Sequence, residues 1–377
     1  MRRRFALWLI AASLPGSVSA MAETSIGVLL PLTGPHAQEG QAALRGMRLA
    51  VREANAAMVR GDRNFIVLIT ADDAGGAATA AQLVHHLARP GAPAAEQPRL
   101  LVGLTAPDAA LAASVAANEA HIPLLTLVGS PAISGAGKWS STLEDDADLE
   151  IDTVLAEVKS RIKPASVASI IGRGNERGIG QNIYVRYELS YVSRLLPGEE
   201  IGATDSEAAS LATRMRAANP DLIFLTTGSP EGDARLIQTL RRTGVTSRIL
   251  ATADALSPDF TRLAGDAAEG VMAPADFLPA GTNERAQDFA RQYQELYGAT
   301  ATRWAAIGHT AITIAREATH RAGPDAPHAA VRDALDSIRR LPIVLGGGSF
   351  SFDANRTASY DFVPAIRRGG AWVRLSN

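Results

Sequence analysis

A glycine-rich segment, Gly172-Arg-Gly-Asn-Glu-Arg-Gly178, is the part of this chain that comes nearest to a nucleotide-binding loop. In such loops, glycines between a strand and a helix let the backbone approach a pyrophosphate. The spacing here is GxGxxxG instead of GxGxxG, and the next strand has no clear terminal acid to bind a ribose. We therefore interpret these glycines as shaping a loop at the edge of a cleft.

Motifs of other enzyme classes are missing from the sequence. It contains no GxSxG, HExxH, P-loop or calcium-loop pattern. His85 and His86 are adjacent, and neighbouring residues of a helix point in different directions, which is a poor geometry for a metal site. The chain has no cysteine, which excludes disulfides, thiol chemistry and a lipid anchor on an N-terminal cysteine. We predict that the protein is not an enzyme and uses no metal or cofactor.

Strand-like and helix-like segments alternate along most of the chain. Ile26–Leu30 is a short apolar run, typical of a parallel strand that is covered on both faces. Leu44–Ala54 places apolar residues at helical spacing, and a long helix is predicted over Gly178–Leu196. This alternation indicates an α/β fold with parallel sheets. A chain of 377 residues exceeds what one hydrophobic core organises, so two lobes are predicted.

The first 22 residues have the layout of a signal peptide. Arginines at positions 2–4 precede an apolar stretch, Phe5–Leu14, that is shorter than the ~20 residues of a transmembrane helix. Small residues then offer cleavage after Ala20 or after Ala22. The formal net charge is −2, with no basic block after the leader, which argues against nucleic acid as a partner. We expect a soluble protein that is exported to the periplasm and is not a lipoprotein.

The segment Thr33–Asn55, TGPHAQEGQAALRGMRLAVREAN, forms a turn and an amphipathic helix behind the first predicted strand. Together with the leader, it resembles the start of the type I periplasmic solute-binding proteins of ABC transporters. The nearest branch is the leucine/isoleucine/valine-binding family. The resemblance implies two doubly wound parallel-sheet lobes, joined by three crossovers, with the ligand cleft between them.

The resemblance also implies where the chain passes between the lobes. The crossovers are expected near Leu143, Pro274 and Gly346. Lobe 1 would then contain residues 23–142 and 275–345, and lobe 2 would contain residues 143–274 and 346–377.

The implied function is that of an exported receptor, which captures a small polar molecule by hinge closure and delivers it to an ABC transporter. The molecule would be an amino acid or a related amide or acid, and the protein partners would be permease subunits of the inner membrane. We expect the receptor to be a monomer. Two alternatives stay open: a periplasmic sensory protein of the same fold, and an exported α/β hydrolase, which would need a serine or metal constellation that the sequence lacks.

The ligand-binding loops of the family can be carried over position by position. Val128 and Ser130 match a loop whose backbone and hydroxyl bind the ligand. A ligand-binding serine of the preceding loop is replaced by Pro107, which has neither an N–H nor a hydroxyl. Asp108 follows, and its charge would oppose a ligand carboxylate. The resemblance therefore implies a cleft that departs from the usual amino-acid-binding pattern.

Other positions of the family's pocket also differ here. Aromatic residues that close over the ligand are replaced by Glu39, Arg177 and Gly228. The acid that binds an ammonium group matches Ala253, and a loop adjustment of one residue would bring Asp254 into that role. The alternative for Asp254 is a helix N-cap or a turn acid. The predicted ligand-binding set is Thr33, Glu39, Thr105, Asp108, Val128 and Ser130 in lobe 1, with Arg177, Gly228 and Asp254 in lobe 2.

Overall fold

The computed structural model describes residues 22–58, 64–89, 91, 97–145 and 147–375. The predicted leader, residues 1–22, lies outside this described part except for Ala22, the first residue of the first strand. Within the described ranges, no helix has both the length and the apolar character needed to span a bilayer.

Strands and helices alternate, as the sequence predicts. The strands are β1 (Ala22–Leu30), β2 (Asn64–Asp72), β3 (Leu100–Gly103), β4 (Leu124–Thr126), β5 (Ser140–Asp145), β6 (Ser166–Gly172), β7 (Arg194–Ile201), β8 (Leu222–Thr226), β9 (Arg248–Ala251), β10 (Met272–Ala275), β11 (Leu341–Pro342), β12 (Ser349–Phe352), β13 (Thr357–Ser359), β14 (Val363–Arg368) and β15 (Ala371–Arg374). The α-helices are α1 (Ala37–Met58), α2 (Ala77–Leu87), α3 (Pro107–Ala120), α4 (Pro131–Gly135), α5 (Ala147–Glu157), α6 (Glu176–Leu189), α7 (Asp205–Ala218), α8 (Pro230–Arg242), α9 (Pro258–Ala264), α10 (Glu284–Tyr297), α11 (Arg303–Ala322) and α12 (His328–Asp336).

These strands form two mixed sheets, and each sheet is the centre of one lobe. The first sheet has the order β11-β12-β13-β5-β4-β3-β1-β2, and the second has the order β15-β14-β10-β9-β8-β6-β7. Strands β1 to β5 pair in parallel, as do β6 to β10, whereas β12 and β14 pair antiparallel with their neighbours β13 and β10. The predicted α/β fold with two doubly wound, mostly parallel sheets is confirmed.

The central strands of the first sheet are buried on both sides, because helices cover both faces of the sheet. In β1, Ile26, Val28 and Leu30 belong to the core beneath α1, α10, α11 and α12, whereas Leu29 belongs to the core beneath α2 and α3. Alternate side chains of a strand point to opposite faces, so a continuous apolar run supplies both cores.

Two glycines let α1 and α11 pack with their backbones in contact. A Cβ atom at Gly46 would lie 1.8 Å from the carbonyl oxygen of Ala305, and one at Gly308 would lie 2.1 Å from that of Ala43. Each helix therefore supplies a glycine where the other approaches most closely. This contact holds the late helix α11 on the first sheet, more than 240 residues after α1 in sequence.

The chain passes between the sheets after β5, between β10 and α10, and between β13 and β14. The expected third crossover near Gly346 is wrong, because β12 and β13 still pair within the first sheet, with β13 next to β5. Residues 346–359 therefore lie with the first lobe, and the chain enters the second sheet only at Val363. The first passage follows the end of β5 at Asp145, close to the expected Leu143, whose own side chain lies in the first core.

The helix predicted over Gly178–Leu196 is also too long. Helix α6 ends at Leu189, and the edge strand β7 begins at Arg194. The sequence of β7, Arg-Leu-Leu-Pro-Gly-Glu-Glu-Ile, contains proline and glycine, which is typical of an edge strand. Its apolar and polar residues do not alternate, so the sequence shows no clear strand period.

Candidate functional site

A cavity of about 300 Å³ lies between the lobes, where ends of strands from both sheets face each other. The second lobe contributes the loops after β6, β8 and β9, and the first contributes the end of β5 and the start of α11. The carboxyl ends of parallel strands are where open α/β sheets bind ligands. The charged side chains of this cleft are Glu144, Glu150, Arg177, Asp254 and Arg303.

Arg177 joins the two lobes inside the cleft. Its Nη2 donates to Oε2 of Glu150 at 2.6 Å, and its Nη1 donates to Oε1 of Glu144 at 3.4 Å. Burial by itself would lower the pKa of Arg177, but the charges of Glu150, Glu144 and Asp254 outweigh burial and raise this pKa. The guanidinium therefore stays charged and connects the end of β5 in the first lobe with α5 in the second.

Backbone N–H groups hold both carboxylates that face Arg177. Oε2 of Glu144 accepts a hydrogen bond from Gly129 N at 2.8 Å, and Oε1 of Glu150 accepts one from Ala253 N, also at 2.8 Å. The Glu150 side chain is only 4% exposed, and burial raises its pKa despite the attraction of Arg177. A continuous polar chain thus runs from the backbone of one lobe to the backbone of the other.

The second arginine of the cleft, Arg303, is the first residue of α11. Its Nε and Nη2 both lie 2.8 Å from Oδ2 of Asp276, whose side chain is 1% exposed. Asp276 directly follows β10, so the pair ties α11 to the second passage of the chain between the lobes. Because Asp276 neutralises this guanidinium, Arg303 is not a free cation for a ligand carboxylate.

Two polar side chains after β9 have no protein partner in the part of the chain that the structure describes. Asp254 is exposed and lines the cleft, with no ion pair and no side-chain hydrogen bond among those residues. Thr252 also lines the cleft, and its hydroxyl is buried without a hydrogen-bond partner among them. A buried hydroxyl without a partner is unusual in folded proteins, so both groups are available to a bound molecule.

Gly228 shapes the loop between β8 and α8. Its φ of +90° lies in the region that favours glycine, and a Cβ atom there would lie 3.1 Å from the side chain of Asn175. Asn175 caps α6 by accepting a hydrogen bond from Gly178 N at 3.0 Å. Gly228 therefore keeps the cleft wall close to the start of α6, where Arg177 lies.

A buried acid stands behind this wall. Asp233 is 0% exposed; its Oδ1 accepts a hydrogen bond from Thr227 N at 2.5 Å, and its Oδ2 has no partner among the described residues. Burial raises the pKa of Asp233 to about 7, and the charge of Asp254 adds to this effect. One wall of the cleft therefore contains a carboxyl group that titrates near neutral pH.

Several predicted first-lobe residues lie outside the lining of this cavity. The hydroxyl of Thr33 donates to Oδ2 of Asp72 at 2.7 Å and so stabilises a turn. Asp108 is exposed in the first turn of α3, and Val128 is buried, with its carbonyl accepting a hydrogen bond from the Thr126 hydroxyl. None of these three residues lines the cavity in this conformation.

Thr105 and Ser130 keep hydrogen-bonding capacity at the carboxyl edge of the first sheet. The buried hydroxyl of Thr105 has no partner among the described residues. It follows Leu104, whose φ of +69° is uncommon for a residue with a side chain and marks a strained turn. Ser130 caps α4 by accepting a hydrogen bond from Ile133 N at 3.3 Å, which leaves its hydroxyl hydrogen free to be donated.

Glu39, at the start of α1, faces the second lobe. It pairs with His36 at 3.3 Å, and burial raises its pKa. The charge of Asp259 on α9 raises this pKa further, whereas Arg303 lowers it. Glu39 therefore interacts with one charged group of the cleft, Arg303, although it does not line the cavity.

The structure thus brings Arg177, Gly228 and Asp254 together, and it adds residues that sequence reasoning did not select. Glu144, Glu150 and Arg303 supply the other charges of the cleft. For Glu144 and Glu150 the available signal was their position beside the first passage of the chain between the lobes. Arg303 is remote in sequence from every passage, and only its pairing with Asp276 brings it to the cleft.

Comparison with known proteins agrees with this architecture. A curated Leu/Ile/Val-binding protein homologue from Brucella melitensis is 23% identical over 90% of each chain. The fold is similar to that of a branched-chain amino acid transporter substrate-binding protein from Streptococcus pneumoniae in complex with isoleucine, with 19% identity, a TM-score of 0.74, and 93% of this chain and 97% of that chain covered. A solute-binding protein of an ABC transporter from R. palustris in complex with benzoate has 19% identity and a TM-score of 0.69, with 94% of this chain and 96% of that chain covered.

At these identities the two solved structures establish the fold. The family is shown by a sequence model, described as periplasmic binding protein, which matches residues 23–365. Proteins of this family are solute-binding receptors. The chain belongs to the periplasmic binding protein family.

Proposed function

We propose that this protein is the solute-binding receptor of an ABC transporter, which captures a small polar molecule between its lobes and delivers it to permease subunits of the inner membrane. Membership of the periplasmic binding protein family and the similarity to transporter receptors support this proposal. The predicted leader supports a periplasmic location without a lipid anchor. We further propose that the receptor acts as a monomer, since one chain contains both walls of the cleft.

The observation that carries the proposal is the contact of Arg177 with carboxylates of both lobes, Glu144 and Glu150. A receptor of this kind works by hinge closure, in which a ligand that contacts both lobes stabilises the closed state. Polar groups held from both sides of the cleft are the contacts that such a ligand needs. The same groups fix the distance between the lobes in this conformation.

The charges of the cleft favour a ligand with a positively charged group. Asp276 neutralises Arg303, and the carboxylates of Glu144 and Glu150 flank Arg177, so Asp254 is the charged group left without an ion-pair partner in the described part of the chain. We propose that Asp254 binds this cationic group and that the hydroxyl of Thr252 binds a neighbouring polar atom.

On the first lobe, we propose that Ser130 and Thr105 bind the polar end of the ligand that faces away from Asp254. Their hydroxyls have unused hydrogen-bonding capacity. Glu39 would contribute negative potential, and Gly228 would leave room for the ligand beside Arg177. The exposed Asp108, the hydrogen-bonded Thr33 and the carbonyl of Val128 would contact a ligand only if the loops rearrange on closure.

A ligand screen tests this proposal. Thermal unfolding of the purified protein is measured with amines, amino acids including isoleucine, amides, and acids without a cationic group, such as benzoate. A ligand at 100 times its Kd should add about 2.7 kcal/mol of stability. We expect stabilisation only by compounds with a cationic group. Binding of benzoate alone would overturn the role given to Asp254.

Calorimetry on variants then locates the ligand. We expect Asp254→Asn to weaken binding by about tenfold or more, because losing one partner of a desolvated charge pair costs about 2–5 kcal/mol. Asp266→Asn is the matched control, since Asp266 is exposed and outside the cleft. Equal affinities of the two variants would place the ligand away from Asp254.

A further inference from the structure

A second cavity, of about 720 Å³, lies at the edge of the second sheet that is opposite to the cleft. It is formed by the loop between α8 and β9, the residues before β10, the end of β14 and the helical turn Val158–Ile162 after α5. These segments lie at the amino ends of the parallel strands β9 and β10. The cavity and the proposed solute site therefore lie at opposite ends of the strands of the second sheet.

The lining of this cavity is positively charged. Four arginines and two glutamates give a net formal charge of +2, and they are Arg161, Arg241, Arg248, Arg368, Glu157 and Glu269. Glu157 pairs with Arg161 at 3.1 Å, and Glu269 accepts a hydrogen bond from the backbone N–H of Gly369. The other three arginines form no ion pair with any described residue.

Arg241 is held in place without a counter-ion. Its Nη1 donates to the carbonyl oxygens of Val245 and Ser247, both at 2.9 Å. Burial lowers the pKa of Arg241, and no carboxylate offsets that effect. The hydroxyl of Ser247, in a residue that is 5% exposed, is buried without a hydrogen-bond partner among the described residues.

An anion rich in oxygen atoms would satisfy both of these groups. A partly buried cation without a counter-ion is unfavourable, and a buried hydroxyl normally has a partner. The planar guanidinium matches the geometry of phosphate and carboxylate oxygens. A phosphate monoester carries a charge of about −1.5 to −2 at neutral pH, which balances the charge of the lining.

We propose that this cavity binds a phosphate-bearing anion, with Arg241, Arg248 and Arg368 as its cationic ligands and the Ser247 hydroxyl as a hydrogen-bond donor. A phosphate group can come from two sources: a free phosphorylated solute, or the headgroup of an anionic phospholipid, whose phosphodiester carries less negative charge than a monoester. The site does not depend on the solute cleft or on the proposed transport function.

Titration calorimetry of the full chain with inorganic pyrophosphate tests the site. We use the double variant Arg248→Gln and Arg368→Gln, because both side chains are exposed and have no described ion pair, and a second variant, Ser247→Ala. Arg214→Gln is the control, since Arg214 pairs with Glu199 on the surface of the same lobe. We expect the double variant to weaken binding by about tenfold or more and the control by less than about twofold.

Vesicle sedimentation distinguishes the sources of the phosphate. Binding to phosphatidylglycerol vesicles that is lost in the double variant would identify a lipid headgroup, whereas pyrophosphate binding without vesicle binding would identify a free solute. Either result supports the proposal. It is overturned if wild-type protein binds neither probe, or if the double variant binds both as well as the wild type does.

Discussion

Arg177 Nη1 lies 3.4 Å from Glu144 Oε1, an ion pair that spans the cleft between the two sheets. The same guanidinium lies 2.6 Å from Glu150 Oε2, which belongs to the second lobe, as Arg177 does. Movement of one lobe relative to the other must therefore stretch or break the contact with Glu144. The contacts of Arg177 are therefore coupled to the opening of the cleft.

Removing this arginine should destabilise the protein, because it leaves Glu150 buried without its counter-ion. For Arg177→Gln we expect the free energy of unfolding to fall by about 1–3 kcal/mol, below the ~3–5 kcal/mol of a fully buried pair. The lower value reflects the 49% exposure of Arg177. Urea unfolding measures the change.

Arg173→Gln is the matched control for Arg177→Gln. Arg173 lies in the loop before α6, and its pair with Glu207 is solvent-exposed. Exposed pairs contribute about 0–1 kcal/mol, so this change should be small. Equal losses in the two variants would show that Arg177 does not offset a buried charge.

The stability of the protein should fall as the pH rises from about 4 to about 7. Burial raises the pKa of Asp233 to about 7 from an ordinary value of 3.8. Between these values the folded state keeps a proton that the unfolded chain releases, so the free energy of unfolding decreases with increasing pH. The contribution is on the order of a few kcal/mol, since one pKa unit corresponds to about 1.4 kcal/mol.

Asp233→Asn should flatten this dependence, because asparagine does not titrate. Urea unfolding of wild type and variant at several pH values between about 4 and 7 measures the two slopes. Asp266→Asn, at an exposed position of the same lobe, should leave the slope unchanged. If Asp233→Asn keeps the wild-type slope, other carboxyl groups cause the dependence.

The contact of α1 with α11 predicts opposite effects for two glycine substitutions. Gly46→Ala should destabilise the protein by about 1–3 kcal/mol or more, because the added methyl group collides with the backbone of Ala305. Gly180→Ala, in the exposed interior of α6, meets nothing within 4 Å and should stabilise the protein by about 0.5–1 kcal/mol through helix propensity. Thermal unfolding gives the sign of each effect. If Gly46→Ala is neutral and Gly180→Ala is destabilising, this account of the contact between α1 and α11 is wrong.

Export with cleavage of the leader stays a prediction from the sequence. Protein recovered from the periplasm should begin at Met21 or Glu23, as N-terminal sequencing would show. Cleavage at either position leaves the first strand almost intact, since β1 begins at Ala22. Recovery of only the full-length chain, confined to the cytoplasm, would refute the prediction.

Local patterns in the sequence were sufficient for most of the order of strands and helices, although not for β7. The family resemblance, position by position, pointed to part of the cleft. Arg177, Gly228 and Asp254 follow β6, β8 and β9, which are neighbours in the second sheet. Parallel neighbours end at the same edge, so residues that follow them meet without further information. Continuous apolar runs also predicted buried strands, because side chains that alternate between the two faces are all apolar only when both faces are covered.

The charge pairs and the last crossover depended on the tertiary structure. Glu144 and Glu150 lie 33 and 27 positions from Arg177, and Asp276 lies 27 positions from Arg303, so no local period connects them. The third passage falls after Ser359 because β13 pairs with β5, some 215 residues earlier in the chain. Periodicity reveals which face of an element is buried, whereas the partner that covers it is selected by the packing of segments that are distant in sequence.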